Sequence, residues 1–359
     1  MRLLADLEGE IEGAPDGVHL QPASVDELVR IVKAASDSAT PVRVWGGGTR
    51  QKMGNEPPGG LVVSTGGMSQ IDVFEPEDLT VVVGAGIGVG ELEARLADKN
   101  QTAVLPERPG AATLGGVLAT GRAPLRRARH LGLRERVLEV TSVTGDGRVV
   151  RSGGRVVKNV SGFDLHRAAV GAFGSLGIIV QVCLKLWPLA KASATIRLED
   201  PDSVARVKRP LALLESPGGL TLYVTGTESD VADTVDRVGG DATPGLHWPE
   251  DPVGEFSWSL RIPPSKIGDA LARVAPWRHL AIHGAGEVRL ASDDIEGAMD
   301  LRIWAEEQGG SLVLVDHPGD LPPVDPWGKP PETLELQRRL IAQFDPARIL
   351  NPGRLPGGL

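Results

Sequence analysis

The sequence feature that most constrains the fold is a run of three glycines between two β-like segments. Residues 44–50 read VWGGGTR, and a second apolar run follows at residues 61–64. Because glycine has no Cβ, such a loop can adopt positive φ and bring its N–H groups close to a ligand. Successive N–H groups form a concavity that binds anions, and Thr49 and Arg50 add a hydroxyl and a cationic donor. The segment is either a diphosphate-binding loop or an ordinary glycine-rich turn.

Two other phosphate-binding loops are excluded by their spacing. A Walker A loop requires Gly-Lys-Ser or Gly-Lys-Thr, whereas Gly328-Lys329 is followed by Pro330. A dinucleotide-binding strand–turn–helix requires G-x-G-x-x-G. The run at residues 80–86 begins correctly, but Val89 occupies the third glycine position. We interpret residues 84–97 as a strand end, a turn and a helix.

Length, composition and charge limit the class of protein. The chain has 359 residues, of which 41% are hydrophobic and 24% charged, so it can form two globular domains. A net charge of -9 argues against a general nucleic-acid binder. Cys183 is the single cysteine, which excludes internal disulfides and fits a reducing cytosol, and no Cys/His cluster has zinc spacing. No signal peptide or membrane-spanning run is present, which predicts a cytoplasmic protein without direct membrane insertion that reaches a membrane only through partners.

The first part of the chain mixes short strands and helices without a regular βαβα alternation, which favours an α+β fold. A helix begins after Ser24, with Glu27 completing a capping box. A hairpin covers residues 137–150, and a long strand covers residues 178–186 until Pro188 stops it. Predicted strands also cover residues 42–44, 61–64, 71–74 and 79–83, and predicted helices begin at residue 91 and near residue 164.

The pattern changes after about residue 190. Two β-α-β passages over one sheet predict a ferredoxin-like domain, followed by a proline-rich linker at residues 317–331 and an amphipathic helix at residues 333–344. No internal repeat is visible. We therefore divide the chain into residues 1–190, residues 191–330 and a C-terminal helix and tail at residues 331–359.

Three further clusters follow the glycine loop in the chain. Residues 105–120 read LPERPGAATLGGVLAT, residues 158–165 read KNVSGFDL, and residues 171–179 read GAFGSLGII. The pair Gly115-Gly116 opens a helix of small residues whose N-terminal N–H groups suit a phosphate. Each cluster alone is a weak signal, but the four in this order form a specific pattern.

With these clusters, the chain resembles the vanillyl-alcohol oxidase / para-cresol methylhydroxylase (PCMH) superfamily of FAD proteins. The resemblance extends to the tail, where residues 344–354 read FDPARILNPGR. It implies a two-lobed PCMH-type FAD-binding domain, a small ferredoxin-like α+β cap domain, and a tail that returns to the FAD domain. The resemblance assigns cofactor contacts to Trp45, Gly46, Gly47, Gly48, Thr49, Arg50, Pro109, Gly110, Thr113, Leu114, Gly115, Gly116, Ala119, Thr120, Gly177 and Ile179.

Within this superfamily, the chain resembles the small FAD subunits of bacterial glycolate oxidase complexes. This implies an FAD-dependent oxidoreductase that passes electrons to a partner flavoprotein and iron–sulfur subunits and that can take a small hydroxy-acid substrate. Two alternatives stay open: a free-standing FAD-dependent dehydrogenase of a small hydroxylated substrate, and a flavin-binding structural subunit without turnover of its own. Larger relatives carry two cap histidines near the flavin, whereas this chain has His283 and then Arg289.

The flavin is predicted to be bound non-covalently, because Thr49 and Arg50 stand where some relatives carry a linking histidine. His130 and His283 are the candidate catalytic residues. His130 lies in a basic segment that either faces the flavin or a substrate carboxylate or is simply solvated. His283 is either part of a catalytic site or a packed strand histidine. Lys158 either neutralises charge near the flavin or forms a structural ion pair. Cys183 is predicted to be buried and inert, and no metal site is predicted.

Overall fold

The computed structural model describes residues 6–155, 163–320 and 322–359. Lys158 and most of the cluster at residues 158–165 therefore lie outside the described residues. The described chain contains both helices and sheets, and it folds into two lobes, a cap and a tail that returns to the first lobe.

The first lobe is a parallel sheet covered by one helix. Its elements are β1 (Val18–Leu20), α1 (Val25–Asp37), β2 (Val42–Trp45) and β3 (Leu61–Ser64), with strand order β1-β3-β2. Ser24 caps α1 by accepting from the Glu27 N–H, as predicted, whereas the Glu27 carboxylate accepts from Ala23 N–H. Buried α1 side chains, including Leu28 and Ile31, share a core with Leu61 and with Leu350 of the tail.

The second lobe is a five-stranded antiparallel sheet of order β4-β5-β9-β7-β8. The strands are β4 (Ile71–Glu75), β5 (Thr80–Gly84), β7 (Val137–Val143), β8 (Val149–Gly153) and β9 (Ile178–Lys185). The associated helices are α2 (Val89–Ala97), α3 (Leu114–Thr120), α4 (Arg127–His130) and α5 (Leu165–Ala168). The predicted hairpin is confirmed by the β7–β8 pairing. Its turn contains Gly147 at φ +77°.

The prediction that Pro188 simply stops β9 is wrong in detail. The strand ends earlier, at Lys185, and β10 (Trp187–Pro188) pairs antiparallel with β6 (Gln101–Thr102). Proline is tolerated here because an isolated two-residue pair does not require its missing N–H.

The cap contains one eight-stranded antiparallel sheet of order β14-β11-β13-β12-β16-β17-β15-β18. The strands are β11 (Ala192–Arg197), β12 (Ala212–Ser216), β13 (Gly219–Gly226), β14 (Asp241–Pro244), β15 (Phe256–Arg261), β16 (Arg278–Ile282), β17 (Glu287–Ser292) and β18 (Ser311–Asp316). The helices are α6 (Glu228–Val238), α7 (Ile267–Val274) and α8 (Ile295–Glu307).

The ferredoxin-like prediction is confirmed, and the cap contains two such units. Across the sheet, the first unit has the order β14-β11-β13-β12, so its fourth strand is at the edge, next to its first. The second unit, β15–β18, has the same order of strands when it is read from the opposite edge, as β18-β15-β17-β16. A 3₁₀ helix, Pro201–Arg206, replaces the first helix of the first unit. The units join where β12 pairs with β16, through Leu214 and Ile282. The topology thus contains a repeat that the sequence does not display.

The tail closes the first lobe. After α9 (Leu334–Phe344), Leu350 pairs in parallel with Val42 of β2. In the preceding segment, residues 317–320 and 322–331 have no regular structure, but they include a packed side chain, since the Trp327 ring meets Phe173 edge-on at 5.4 Å. Within the described residues, no helix has both the length and the apolar composition needed to cross a membrane.

Candidate functional site

The glycine loop leaves the end of β2 and lines a cavity with about 870 Å³ of empty space, which we call the inner cavity. Gly48 has φ +71°. The backbone N–H groups of Gly46, Gly47, Gly48, Thr49 and Arg50 donate no hydrogen bond to any acceptor among the described residues. Five successive N–H groups without acceptors at a cavity wall form a site suited to an anion with several oxygens.

The second wall of the inner cavity consists of the segment at residues 109–113 and helix α3. This segment packs directly on the glycine loop, because a Cβ on Gly46 would overlap the Thr113 hydroxyl. The glycines therefore allow two loops to touch each other as well as a ligand to approach.

The start of α3 differs from the sequence interpretation. The N–H of Leu114 donates to Ile87 O at 2.9 Å, and that of Gly115 donates to Ala85 O at 2.7 Å. The Gly116 N–H points to the capping hydroxyl of Thr113 at 3.3 Å. All three N–H groups donate hydrogen bonds within the chain and are not available to a phosphate. The prediction that this helix start binds a phosphate is therefore wrong. Helix α3 instead lines the cavity with its small residues.

The third wall comes from the tail and from the start of β9. The Asn351 side chain accepts from Val44 N–H at 3.0 Å and donates to Phe173 O at 2.6 Å. The Arg354 guanidinium donates to the carbonyls of Arg50 at 2.9 Å and Gln51 at 2.7 Å. The tail thereby holds the far end of the glycine loop in place.

Arg354 is a buried cation at this wall. It is 3% exposed, and its Nε is buried without a hydrogen-bond partner among the described residues. Burial and the nearby Arg43 lower the pKa of Arg354 to about 10, although Glu56 opposes the shift. A buried guanidinium that lacks a contacting carboxylate favours an anionic ligand in the cavity.

The structure brings most of the predicted cofactor residues to the inner cavity. Those that line it are Gly46, Gly47, Gly48, Thr49, Arg50, Pro109, Thr113, Gly115, Gly116, Ala119, Thr120 and Ile179. Four others do not line it: Trp45, Gly110, Leu114 and Gly177. Trp45 packs against Ile11 and Val62, and Leu114 is fully buried in the core of the second lobe.

Neither candidate catalytic histidine lines the inner cavity or the larger cavity beside it. His130 meets the Trp187 ring edge-on at 5.8 Å. Burial, with the charges of Arg126, Arg136 and Arg129, lowers the pKa of His130 to about 4. His283 lies within the cap, with its Nε2 2.8 Å from the Glu215 carboxylate.

The larger cavity lies between the FAD-binding lobes and the cap and has about 1420 Å³ of empty space. We call it the outer cavity. Thr49, Arg50, Thr120 and Arg122 line both cavities, so the two spaces adjoin. Arg289 lines the outer cavity on the cap side.

Sequence reasoning missed Arg122, Asn351 and Arg354 as lining residues. The tail signature was visible in the sequence, but nothing in it indicated which side chains reach the cavity. Arg122 lies two residues beyond the small-residue helix and had no local signal.

Among the described residues, no group of His, Cys, Asp or Glu is arranged to hold a metal ion. Cys183 is 1% exposed, and burial raises the pKa of its thiol to about 11.

Comparison with known proteins identifies the cofactor class. Residues 17–153 match the family model described as an FAD binding domain. Glycolate oxidase subunit GlcE of Escherichia coli (strain K12) is 27% identical over 349 residues, which cover 91% of this chain and 96% of that subunit. D-lactate dehydrogenase of Archaeoglobus fulgidus is 31% identical over 212 residues, which cover 56% of this chain and 47% of that enzyme. Glycolate oxidase subunit GlcD of Bacillus subtilis is 31% identical over 195 residues, 53% of this chain and 41% of that subunit.

Two solved structures of alkyldihydroxyacetonephosphate synthase share the fold. Their TM-scores are 0.64 and 0.67 at 14% and 16% identity, and they cover 95% and 93% of this chain and 78% and 76% of theirs. At such identity the likeness concerns the fold alone. Together with the FAD-binding domain match, it confirms the predicted PCMH-type architecture. Residues 17–153 of the chain therefore form an FAD-binding domain of the PCMH type.

Proposed function

We propose that this chain is the FAD-carrying subunit of a 2-hydroxy-acid dehydrogenase assembly of the glycolate oxidase type. The observation that carries the proposal is that residues 46–50 line the inner cavity and that, among the described residues, their N–H groups have no acceptor. The similarity to GlcE over nearly the whole length of both chains supports the subunit role. The partners we propose are a second flavoprotein subunit and an iron–sulfur subunit.

FAD fits the chemistry of the inner cavity. The glycine-loop N–H groups and the Arg50 guanidinium would hold the diphosphate, since both are donors to phosphate oxygens. Arg354 would fix that loop from behind and add positive charge. The small residues of α3 would admit a flat ring system against the backbone. When bound, FAD accepts a hydride equivalent from a substrate and passes electrons onward.

The flavin in this proposal is not covalently attached. Among the described residues that line the inner cavity, none is histidine, cysteine or tyrosine, and these are the side chains whose nucleophilic atoms can form such a link. The chain supplies binding and electrostatics in this proposal. The division into an FAD-binding domain, a cap and a returning tail follows the boundaries inferred from the sequence.

A free-standing dehydrogenase is the second candidate. It is favoured by the outer cavity, which adjoins the inner cavity and carries Arg122 and Arg289 on its walls. A cavity of this kind at a domain interface is a common place for a small-molecule substrate.

The experiment that tests the proposal is acid precipitation of purified protein, followed by anaerobic addition of glycolate or D-lactate to fresh protein. We expect the yellow colour to pass to the supernatant and the isolated chain to bleach only when the partner subunits are added. Bleaching of the isolated chain would instead support the free-standing dehydrogenase. Protein that is colourless and takes up no added FAD would contradict both candidates.

A further inference from the structure

The carboxylate of Asp251 lies among three arginines at the point where the two cavities adjoin. One oxygen is 2.8 Å from the Arg289 guanidinium, and the other contacts Arg122 and lies 3.5 Å from Arg50. Arg50 and Arg122 belong to the FAD-binding lobes, whereas Arg289 belongs to β17 of the cap. Asp251 thus joins cations from both sides of the interface.

Asp251 is carried by the segment that connects the two ferredoxin-like units, between β14 and β15. The segment is anchored before Asp251, because Arg108 donates to Trp248 O at 2.8 Å and the Trp248 ring stacks on Tyr223 at 4.2 Å. It is anchored after Asp251 by Arg278, which donates to Val253 O at 2.7 Å. The peptide linking Asp251 to these anchors is otherwise partly exposed.

The charges in this cluster do not balance. Glu287 is the other carboxylate, and it accepts from Arg127 at 2.8 Å and from Arg289 at 3.1 Å. Four guanidinium groups therefore share two carboxylates. The Nε of Arg122 is also buried and donates to no acceptor among the described residues. Partly buried cations in excess are costly unless an anion approaches them.

Other charged side chains line the same cavity at its outer end. Lys52 and Asp316 form a long pair at 3.9 Å with both side chains about half exposed. Arg261 and Glu255 are exposed. These four groups carry equal numbers of positive and negative charges in contact with solvent, so they do not offset the excess at the inner end.

We infer that the inner end of the outer cavity is a binding site for the carboxylate of a small organic acid, and that Asp251 is an internal competitor for it. The inference rests on the proposed function and deepens it by naming the substrate class of that site. Arginine forks bind planar two-oxygen groups, and Asp251 shows that the three guanidinium groups converge on one such group. An incoming carboxylate takes the place of the Asp251 carboxylate, whose side chain turns away while the backbone stays anchored at Trp248 and Val253.

The consequence is that Asp251 weakens ligand binding although it contacts the binding residues. Removing its charge frees Arg122 and Arg289 for the ligand, while Arg50 remains with the diphosphate of the proposed cofactor site. Removing Arg122 takes away a donor from the ligand and leaves Asp251 paired with the others. The two substitutions therefore act in opposite directions, which a purely structural ion cluster would not show.

The test uses FAD-loaded full-length protein and oxalate, a carboxylate that is not a 2-hydroxy acid, with binding measured by calorimetry and by change in the flavin spectrum. Relative to wild type, we expect Asp251→Asn to bind oxalate about tenfold more tightly and Arg122→Gln about tenfold more weakly, the size of one lost or gained charge-assisted contact. Arg338→Gln is the matched control, because Arg338 is an exposed arginine of α9 that lines neither cavity and does not contact the Asp251 segment, and it should bind oxalate as wild type does.

Three results would overturn the inference: no oxalate binding by wild type, no tightening in Asp251→Asn, or equal weakening in Arg338→Gln and Arg122→Gln. Thermal unfolding identifies any variant that fails to fold, and the Arg122→Gln comparison remains decisive if Asp251→Asn does so. FAD content is measured in the same samples. Wild type that retains FAD but does not bind oxalate refutes this inference alone, whereas wild type without FAD refutes the proposed function.

Discussion

Gly47 and Ala111 lie so close together that no side chain fits between them. A Cβ on Gly47 would overlap the carbonyl oxygen and carbon of Ala111, which are backbone atoms and cannot rotate away. The glycine loop and the segment at residues 109–113 can therefore contact each other only because residue 47 has no Cβ.

We expect Gly47→Ala to lose bound FAD while the cap stays folded. The added methyl forces the two loops apart at a cost of about 1–3 kcal/mol, typical of overpacked sites, and separates the walls of the inner cavity. Flavin absorbance per protein and FAD titration measure the effect. Gly59→Ala is the control, because a Cβ there meets nothing within 4 Å. Full FAD occupancy in Gly47→Ala would contradict the loop assignment.

Arg354→Gln should weaken FAD binding without unfolding the protein. The substitution removes the guanidinium hydrogen bonds to the carbonyls of Arg50 and Gln51. Hydrogen bonds that involve a charged group contribute about 1.5–3 kcal/mol, so we expect the FAD dissociation constant to rise about 10- to 100-fold.

The matched control for Arg354 is Arg338→Gln, which changes an exposed arginine of α9 that pairs with Glu335. It should leave FAD affinity unchanged. An equal loss of FAD affinity in the two variants would mean that the overall positive charge holds the cofactor, and not the hydrogen bonds from Arg354 to the glycine loop.

Because of the lowered pKa of His130, we expect the protein to become less stable in mildly acidic solution. Its folded-state pKa of about 4 lies below its ordinary value of 6.5. Between these values the unfolded chain binds the proton and the folded protein does not, so acid favours unfolding. We expect the free energy of unfolding to fall as the pH drops from 6.5 to 4, and His130→Gln to flatten that slope in urea titrations. An NMR titration that places the imidazole pKa near its ordinary value would refute this prediction.

Asp345 should prove essential for the return of the tail. Its carboxylate accepts from Ile349 N–H at 3.1 Å and Leu350 N–H at 2.8 Å, and the side chain is buried. In Asp345→Ala each of these buried donors loses its acceptor, at about 1–3 kcal/mol each. Urea unfolding should show the loss, and limited proteolysis should cut the tail sooner. Asp300→Ala, at an exposed position of α8, should change neither.

Local chemistry accounts for the parts of the fold that the sequence predicted well. The bounds of α6, Glu228–Val238, are set by local signals, because Thr227 and Asp230 form a capping box at its start and Gly239 ends it. Strands β11 and β12 were missed, since segments such as ASATIR and ALLES carry weak β signals and become strands by pairing with β13. The two units of the cap share their strand order but no visible sequence repeat, because the order is set by pairing between strands that are distant in the chain.

The same distinction holds for the candidate site. The glycine loops were found because a tight turn requires glycine wherever it occurs. Arg354 reaches Gln51 across 303 positions of the chain, and Asp251 reaches Arg122 across 129. Contacts over such separations leave no local pattern, and only the folded chain shows which polar side chains share a cavity.

The return of the tail to β2 sets the order of events during synthesis. Until Asn351 and Arg354 have emerged from the ribosome, the glycine loop lacks the hydrogen bonds by which these two residues hold it and β2 in place. The two FAD-binding lobes and both cap units can emerge and fold before that point. Stable loading of the cofactor therefore requires that translation has passed Arg354, and it reports that the tail has been made.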